Sequence, residues 1–199
     1  MTLGADSATA DYEGSEVPVP GTYDLDSTRS YAGFSVRHHL VSSIRGQFRS
    51  FRGTVTVAED PSFSGVLVEI DAASLDTGDG PLDAYVRSAD FLDVDRYPTI
   101  TYRSDSVLPV VEWFPDGRDR WHVQGDLALH GVVRPVDLEV RFEGGLIDPH
   151  GAARVGFTAH AAIVRDDFGL TWDPVMETDD AMIGREVTVE LEIEAVRRT

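Results

Sequence analysis

The sequence contains no cysteine and no lysine: all 17 basic residues are arginine, against 35 acidic residues, and the formal net charge is −18. Without cysteine the chain can form no disulfide, no thiolate metal site and no cysteine nucleophile. Because nucleic acids are bound by clustered basic residues, the acidic excess argues against nucleic acid as a partner. No apolar run approaches the roughly 18 residues that cross a bilayer, so we expect no integral membrane segment.

Motifs for catalysis and nucleotide binding are also missing. The chain has no G-x-S-x-G elbow, no phosphate-cradling glycine loop and no dinucleotide fingerprint. His38 and His39 are adjacent, and neighbouring strand residues point to opposite faces, so the pair does not indicate a metal site. The aspartates of residues 90–95 and 165–170 are typical of turns. We therefore expect no catalysis, no cofactor and no metal.

Residues 1–20 are poor in large apolar side chains, carry Asp6, Asp11, Glu13 and Glu16, and end in Val-Pro-Val-Pro. Such a segment buries too little surface to offset its ordering entropy, which predicts a disordered acidic tail before a domain over residues 21–199. The first residues also lack the basic start and apolar centre of a secretory signal. We therefore expect a cytoplasmic protein.

Alternation with period two dominates after residue 21 and predicts a series of strands. The clearest apolar rows run through residues 34–38, 66–70, 123–129, 136–142, 155–163 and 187–195. Helical spacing is limited to residues 81–91, which begin with a proline suited to a first turn. The pattern predicts an all-β, antiparallel sandwich or barrel, and a barrel has the advantage of leaving no open strand edge.

The residue pattern leaves open whether such a barrel is filled. An eight-strand barrel either packs its interior with side chains or holds one slender ligand. Gly125, Ala159 and Ala161 are small for inward rows and would leave room for a cavity, but a glycine in a strand is also typical of a bulge, and periodicity alone favours a filled core. Arg37, Arg87 and Arg165 fall in or beside apolar segments, where a guanidinium either binds a phosphate or carboxylate ligand or pairs with an aspartate of the chain.

An ordered set of motifs resembles the YceI-like family. The matching segments include residues 21–26 (GTYDLD), 33–38 (GFSVRH), 45–48 (RGQF), 68–78 (VEIDAASLDTG), 87–93 (RSADFLD), 97–102 (YPTITY), 123–132 (VQGDLALHGV) and 165–172 (RDDFGLTW). The resemblance extends over about residues 21 to 198. It implies a lipocalin-like antiparallel β-barrel of about eight strands with one or two short helices. It also implies a long apolar channel for a prenyl or acyl chain and, commonly, a homodimer.

Three hypotheses of function follow. The first is non-catalytic binding or carriage of a long-chain lipid, a polyisoprenoid or a fatty-acid-like molecule, in the barrel channel. The second is an enzyme acting on an isoprenoid-like or quinone-like substrate, with His130, Asp90 or Asp167 as acid or base. The third is an interaction protein with a filled core.

For the first hypothesis, strand parity and the matched motifs together select sixteen ligand-binding candidates. Arg87, Arg165 and His130 are the candidates for contact with a head group or the channel mouth. The full set is Phe34, Val36, His38, Phe48, Ile70, Arg87, Phe91, Ile100, Leu127, His130, Leu138, Phe157, Ala161, Arg165, Phe168 and Trp172.

Overall fold

Thirteen strands and one short α-helix make up the regular structure of the computed structural model, which describes residues 7–38, 42–110, 120–171 and 183–198. The helix α1 spans Gly80–Arg87. The strands are β1 (Thr9–Tyr12), β2 (Ser15–Pro18), β3 (Gly21–Leu25), β4 (Tyr31–His38), β5 (Ser42–Phe48), β6 (Phe51–Val57), β7 (Gly65–Asp71), β8 (Leu75–Asp76), β9 (Thr99–Pro109), β10 (Arg120–Leu129), β11 (Val132–Ile147), β12 (Ala153–Val164) and β13 (Ile183–Arg197).

Eight of these strands close a barrel. The order around the ring is β3, β6, β7, β9, β10, β11, β12 and β13, and β13 pairs back with β3, always antiparallel. The strands β4 and β5 continue β3 and β6 beyond short breaks, and β4 pairs with the first half of β13. The predicted all-β, eight-strand antiparallel barrel is therefore confirmed.

Alternation along each strand decides which side chains face the interior. On β12, Phe157, Ala159 and Ala161 face inward, whereas His160 between them is exposed. Gly125 on β10 sits at a bulge, where the pairing with β9 shifts register. The Cβ of a side chain there would overlap the carbonyl oxygen of Arg103, so the position requires glycine.

The predicted helix exists but is shorter than residues 81–91. The Asp79 side chain caps its start by accepting a hydrogen bond from the Leu82 amide at 3.2 Å. At Ser88 the backbone turns extended, with ψ at 170°, and the Ser88 amide donates to the Tyr85 carbonyl. The chain then leaves the helix one turn earlier than the apolar spacing indicated.

The predicted disordered tail is wrong for residues 9–18, which form the β1–β2 hairpin. Glu13 and Gly14 at its tip have positive φ angles of 52° and 90°, as a tight two-residue hairpin turn requires. Ala8, Val17 and Val19 are buried, with 3%, 8% and 9% of their surface exposed. Docking on the barrel supplies the apolar contacts that the segment alone lacks.

Two ends of the barrel are distinguished by what lies there. The helix end carries α1, the β10–β11 turn and a 3-10 turn over Arg165–Phe168. The hairpin end carries the β1–β2 hairpin, the β6–β7 connection and the β11–β12 turn. Within the described ranges, no helix has the length and apolar character needed to cross a bilayer.

Candidate functional site

A cavity of about 340 Å³ runs inside the barrel between its two ends. Its wall is almost entirely apolar and draws on every strand of the ring. Ile44, Ile163 and Ile183 line it towards the helix end, and Val57, Pro61 and Val107 line it towards the hairpin end. The sequence left undecided whether side chains fill the interior, and the structure shows a cavity there.

Most of the residues selected from the sequence lie on this wall. Strand parity placed the apolar rows on the inner face. Two aromatic pairs pack on this wall, Phe34–Phe48 and Phe142–Phe157, with ring centroids 5.9 and 5.6 Å apart. The candidates that line the cavity are Phe34, Val36, Phe48, Ile70, Phe91, Ile100, Leu127, Leu138, Phe157, Ala161 and Arg165.

Four candidates lie elsewhere and one is outside the described residues. His38 ends β4 away from the wall, and Phe168 is buried, 2% exposed, in the core beside α1. His130 occupies the β10–β11 turn with φ at 52°, its Nδ1 3.1 Å from the Phe168 carbonyl oxygen. It therefore fastens the turn to the Arg165–Phe168 segment. Trp172 lies outside the described residues.

Arg87 is engaged with the scaffold rather than the cavity. Its Nη2 donates to the carbonyl oxygen of Leu75 and lies 3.8 Å from the Asp83 carboxylate, one helical turn earlier. Asp83 is itself buried and accepts hydrogen bonds from the amide and hydroxyl of Thr77 at 2.8 and 2.7 Å. Together these contacts hold α1 against the β8 segment, and Thr77 is the member of the group that reaches the cavity wall.

Arg165 is the one charged side chain on the described cavity wall. It is 6% exposed, and its Nε and Nη1 donate to the carbonyl oxygens of Gly184 and Leu170 at 3.1 and 2.7 Å. Nη1 also lies 3.3 Å from the Asp166 carboxylate. A buried guanidinium with this set of acceptors joins the start of β13 to the 3-10 turn and places positive charge beside the apolar interior.

Tyr102 is a polar wall residue that the sequence reasoning missed. Its hydroxyl donates to the carbonyl oxygens of Val123 on β10 and Val136 on β11, the next two strands of the ring, at 2.9 and 3.0 Å. Burial, followed by the negative charge of Asp137, raises the pKa of Tyr102, so the phenol stays protonated at neutral pH. The alternation Tyr97-Pro-Thr-Ile-Thr-Tyr102 contained a signal, since a tyrosine on an inward row must bring its hydroxyl to a partner.

The acid and base candidates of the enzyme hypothesis are not assembled. Asp90 and Asp167 are exposed, His130 is engaged in the turn, and none of the three lines the cavity. In the part of the chain that the structure describes, no three His, Asp or Glu side chains are grouped as a metal ion would need.

Comparison with known proteins identifies the family to which this chain belongs. The YceI-like domain model matches residues 23–195. The chain belongs to the YceI-like domain family. Proteins named Protein YceI from Shigella flexneri, Escherichia coli O157:H7 and Salmonella newport are each 34% identical to it over 186 residues, which cover 93% of this chain and 91% of theirs.

Solved structures share the fold of this YceI-like chain at low identity. BcnA from Burkholderia cenocepacia superposes with a TM-score of 0.73 at 20% identity, over 85% of this chain and 98% of BcnA. The Campylobacter jejuni YCEI protein gives 0.64 at 21%, over 82% and 90%. A domain from Saccharophagus degradans, described as polyisoprenoid binding and implicated in plant cell wall breakdown, gives 0.67 at 16%, over 90% and 100%.

Proposed function

We propose that this protein binds or carries a long-chain isoprenoid or similar apolar lipid in the barrel cavity, without chemical change to it. The observation that carries the proposal is the apolar cavity running between both ends of the barrel. Each methylene that leaves water contributes about 0.8 kcal/mol, so a wall of this kind favours a long hydrocarbon over a compact polar molecule. The polyisoprenoid-binding description of the Saccharophagus degradans domain supports the same ligand class.

Arg165 is the head-group candidate that the geometry favours among the three taken from the sequence. It alone of Arg87, His130 and Arg165 lies on the cavity wall. Its contacts are with two carbonyls and one carboxylate, and it lies beside the start of β13 at the helix end. We therefore place the polar group of the ligand towards the helix end of the barrel.

Narrowing the cavity tests the proposal directly. Ala161 on β12 lines the wall, and in Ala161→Trp the indole would occupy the space of the hydrocarbon chain. We expect this variant to fold and to lose at least about tenfold in affinity for octaprenyl monophosphate, a loss of about 1.4 kcal/mol, measured by native mass spectrometry and titration.

His160→Trp is the matched control, because His160 is the next residue on the same strand and is exposed on the outer face. It should bind as the unmodified chain does. Equal retention of lipid by a folded Ala161→Trp variant would show that the ligand does not occupy this cavity. Recovery of a chemically altered lipid after incubation would favour the enzyme hypothesis instead.

Location and assembly complete the proposal. We infer a cytoplasmic protein, supported by the acidic, cysteine-free composition, and a homodimer, supported by family resemblance and by exposed apolar side chains such as Leu108, Val133 and Leu146. Light scattering would give twice the chain mass of 21.8 kDa for a dimer. Cell fractionation tests the location.

A further inference from the structure

The β1–β2 hairpin crosses the mouth of the barrel at the hairpin end. On one side it packs on β11, where a Cβ added to Gly145 would lie 2.9 Å from the Ala8 Cβ. On the other side Tyr12 lies beside Asp60 in the β6–β7 connection, and burial together with the Asp60 charge raises the pKa of Tyr12. Counted from β11, β7 and β6 are the third and fourth strands in a ring of eight, so the hairpin joins nearly opposite walls.

The inner side of the hairpin belongs to the cavity. Val17 and Pro18 both line it, and Val17 packs in the same buried cluster as Val107 and Trp121 at that end. Glu16, the preceding residue, is exposed. The hairpin therefore presents an apolar surface to the cavity and a charged surface to solvent.

The hairpin is separate from the barrel framework. It forms a two-stranded sheet of its own, whereas the barrel strands belong to another sheet. The family match begins at residue 23, after the hairpin has ended. The barrel strands that close the ring thus do not depend on the hairpin for backbone pairing.

The cavity has a defined length along one wall. Cavity-lining residues extend from Ile44 on β5 to Val57 on β6, and at about 3.3 Å per residue and the usual strand tilt this stretch spans about 30 Å along the axis. Val57 and Pro61 lie at the hairpin end, with Val17. A chain whose polar group lies near Arg165 would meet Val17 and Pro18 after running this length.

We propose that Val17 and Pro18 form the end stop of the cavity and set the longest hydrocarbon chain that the protein accepts; this inference rests on the proposed function. Up to the stop, each added methylene is buried and affinity rises with chain length. Beyond it, further carbons must bend back, stay in water or displace the hairpin, so affinity stops rising.

The test measures affinity for a series of prenyl monophosphates with 10, 15, 20, 40 and 55 carbons, by native mass spectrometry of competing pairs. In the unmodified chain we expect affinity to rise and then level off. In Val17→Trp the affinity should level off at a shorter homologue. The affinity for the longest homologue that the unmodified chain accommodates should fall at least about tenfold, whereas the affinity for the shortest homologues should stay within about twofold of that of the unmodified chain. In Val17→Ala the affinity should level off at a longer homologue than in the unmodified chain.

Glu16→Trp places the same bulk on the outer side of the hairpin and should leave the series unchanged. Circular dichroism checks that each variant folds, and Val17→Ala keeps the test valid should Val17→Trp not fold. Identical profiles for all variants would overturn the end stop. So would a uniform loss over all lengths in Val17→Trp, which would place the entrance at the hairpin. Failure of the unmodified chain to bind any member would remove the proposed function itself.

Discussion

Arg165 illustrates how a single buried charge fixes the helix end of the barrel. Removing its guanidinium takes a donor from the carbonyls of Gly184 and Leu170 and from the carboxylate of Asp166, which keeps its ion pair with Arg185. Loss of the guanidinium therefore lowers folding stability, independently of any effect on ligand binding.

We predict that Arg165→Met lowers the free energy of unfolding by about 2 to 4 kcal/mol, measured by urea denaturation. Arg185→Met is the matched control, because Arg185 pairs with the same Asp166 at 3.1 Å but has a side chain that is 79% exposed. Arg185→Met should lower the free energy of unfolding by less than about 1 kcal/mol. Equal losses in the two variants would contradict a special role of the buried guanidinium.

Asp148 in the β11–β12 turn gives a prediction for pH. The Arg154 side chain, at 2.9 Å, and the backbone amides of Ala152 and His150 hold the pKa of this carboxyl at about 2, below the usual 3.8. Because the pKa is lower in the folded state, the ionised group stabilises the fold above about pH 4, and that contribution is lost as the pH falls towards 2.

We therefore expect Asp148→Asn to be less stable than the unmodified chain at pH 6 and the difference to shrink between pH 4 and pH 2.5, in urea midpoints. Asp126→Asn, at an exposed site on β10, reports the general effect of removing one negative charge from a chain of net charge −18. A difference that stays constant down to pH 2.5 would show that the Asp148 contacts do not depend on its ionisation.

At the scale of elements, the docking of the β1–β2 hairpin depends on a glycine. The Cβ of a residue at position 145 would lie 2.9 Å from the Ala8 Cβ and 3.1 Å from the Thr9 Cγ2, closer than packed atoms come. A shift of the hairpin away from β11 relieves these two contacts, whereas the third, 3.2 Å to the Arg154 carbonyl oxygen on β12, needs a displacement of only a few tenths of an ångström.

We predict that Gly145→Ala raises amide hydrogen exchange in residues 9–18 while the barrel strands keep their protection. Gly156→Ala is the control, since the added Cβ would meet its nearest neighbour, the Glu143 Cβ, at an ordinary 3.6 Å. Unchanged exchange in residues 9–18 of Gly145→Ala would mean that the hairpin does not dock on β11 as described.

Sequence reasoning succeeded for elements whose periodicity states which face is buried. The rows through Phe157 and Ala161 on β12 and through Leu138 on β11 lie on the predicted inner face, because a period of two admits only two choices and one is apolar. It failed for residues 9–18, whose strands form through contact with a surface distant in the chain. The early end of α1 at Ser88 was equally hidden, since the apolar spacing continues past it.

The polar candidates show a further limit of sequence reasoning. Arg87, His130 and Arg165 belong to matching motifs, yet Arg87 holds α1 to β8, His130 fastens the β10–β11 turn to the Arg165–Phe168 segment, and Arg165 alone reaches the wall. Nothing in their local sequence separates these roles, because the acceptors of Arg165 lie as far along the chain as Gly184. The Tyr102 hydroxyl between two strands likewise depends on tertiary pairing.

At the scale of the whole molecule, the closed ring and the apolar cavity inside it are suited to a long hydrocarbon ligand. Eight antiparallel strands enclose a space whose wall has one buried guanidinium at one end and the separate β1–β2 sheet across the other. Such a wall solvates a hydrocarbon chain and offers few polar partners for anything else. The net charge of −18 disfavours lasting attachment to anionic membranes.

Native mass spectrometry of the freshly purified protein, followed by solvent extraction and titration with octaprenyl monophosphate, tests the central claim most directly. The account predicts either a discrete long-chain lipid already bound or saturable binding of one added lipid per chain, which Ala161→Trp weakens at least about tenfold. A chain that carries no lipid when isolated and takes up none on titration would contradict the account.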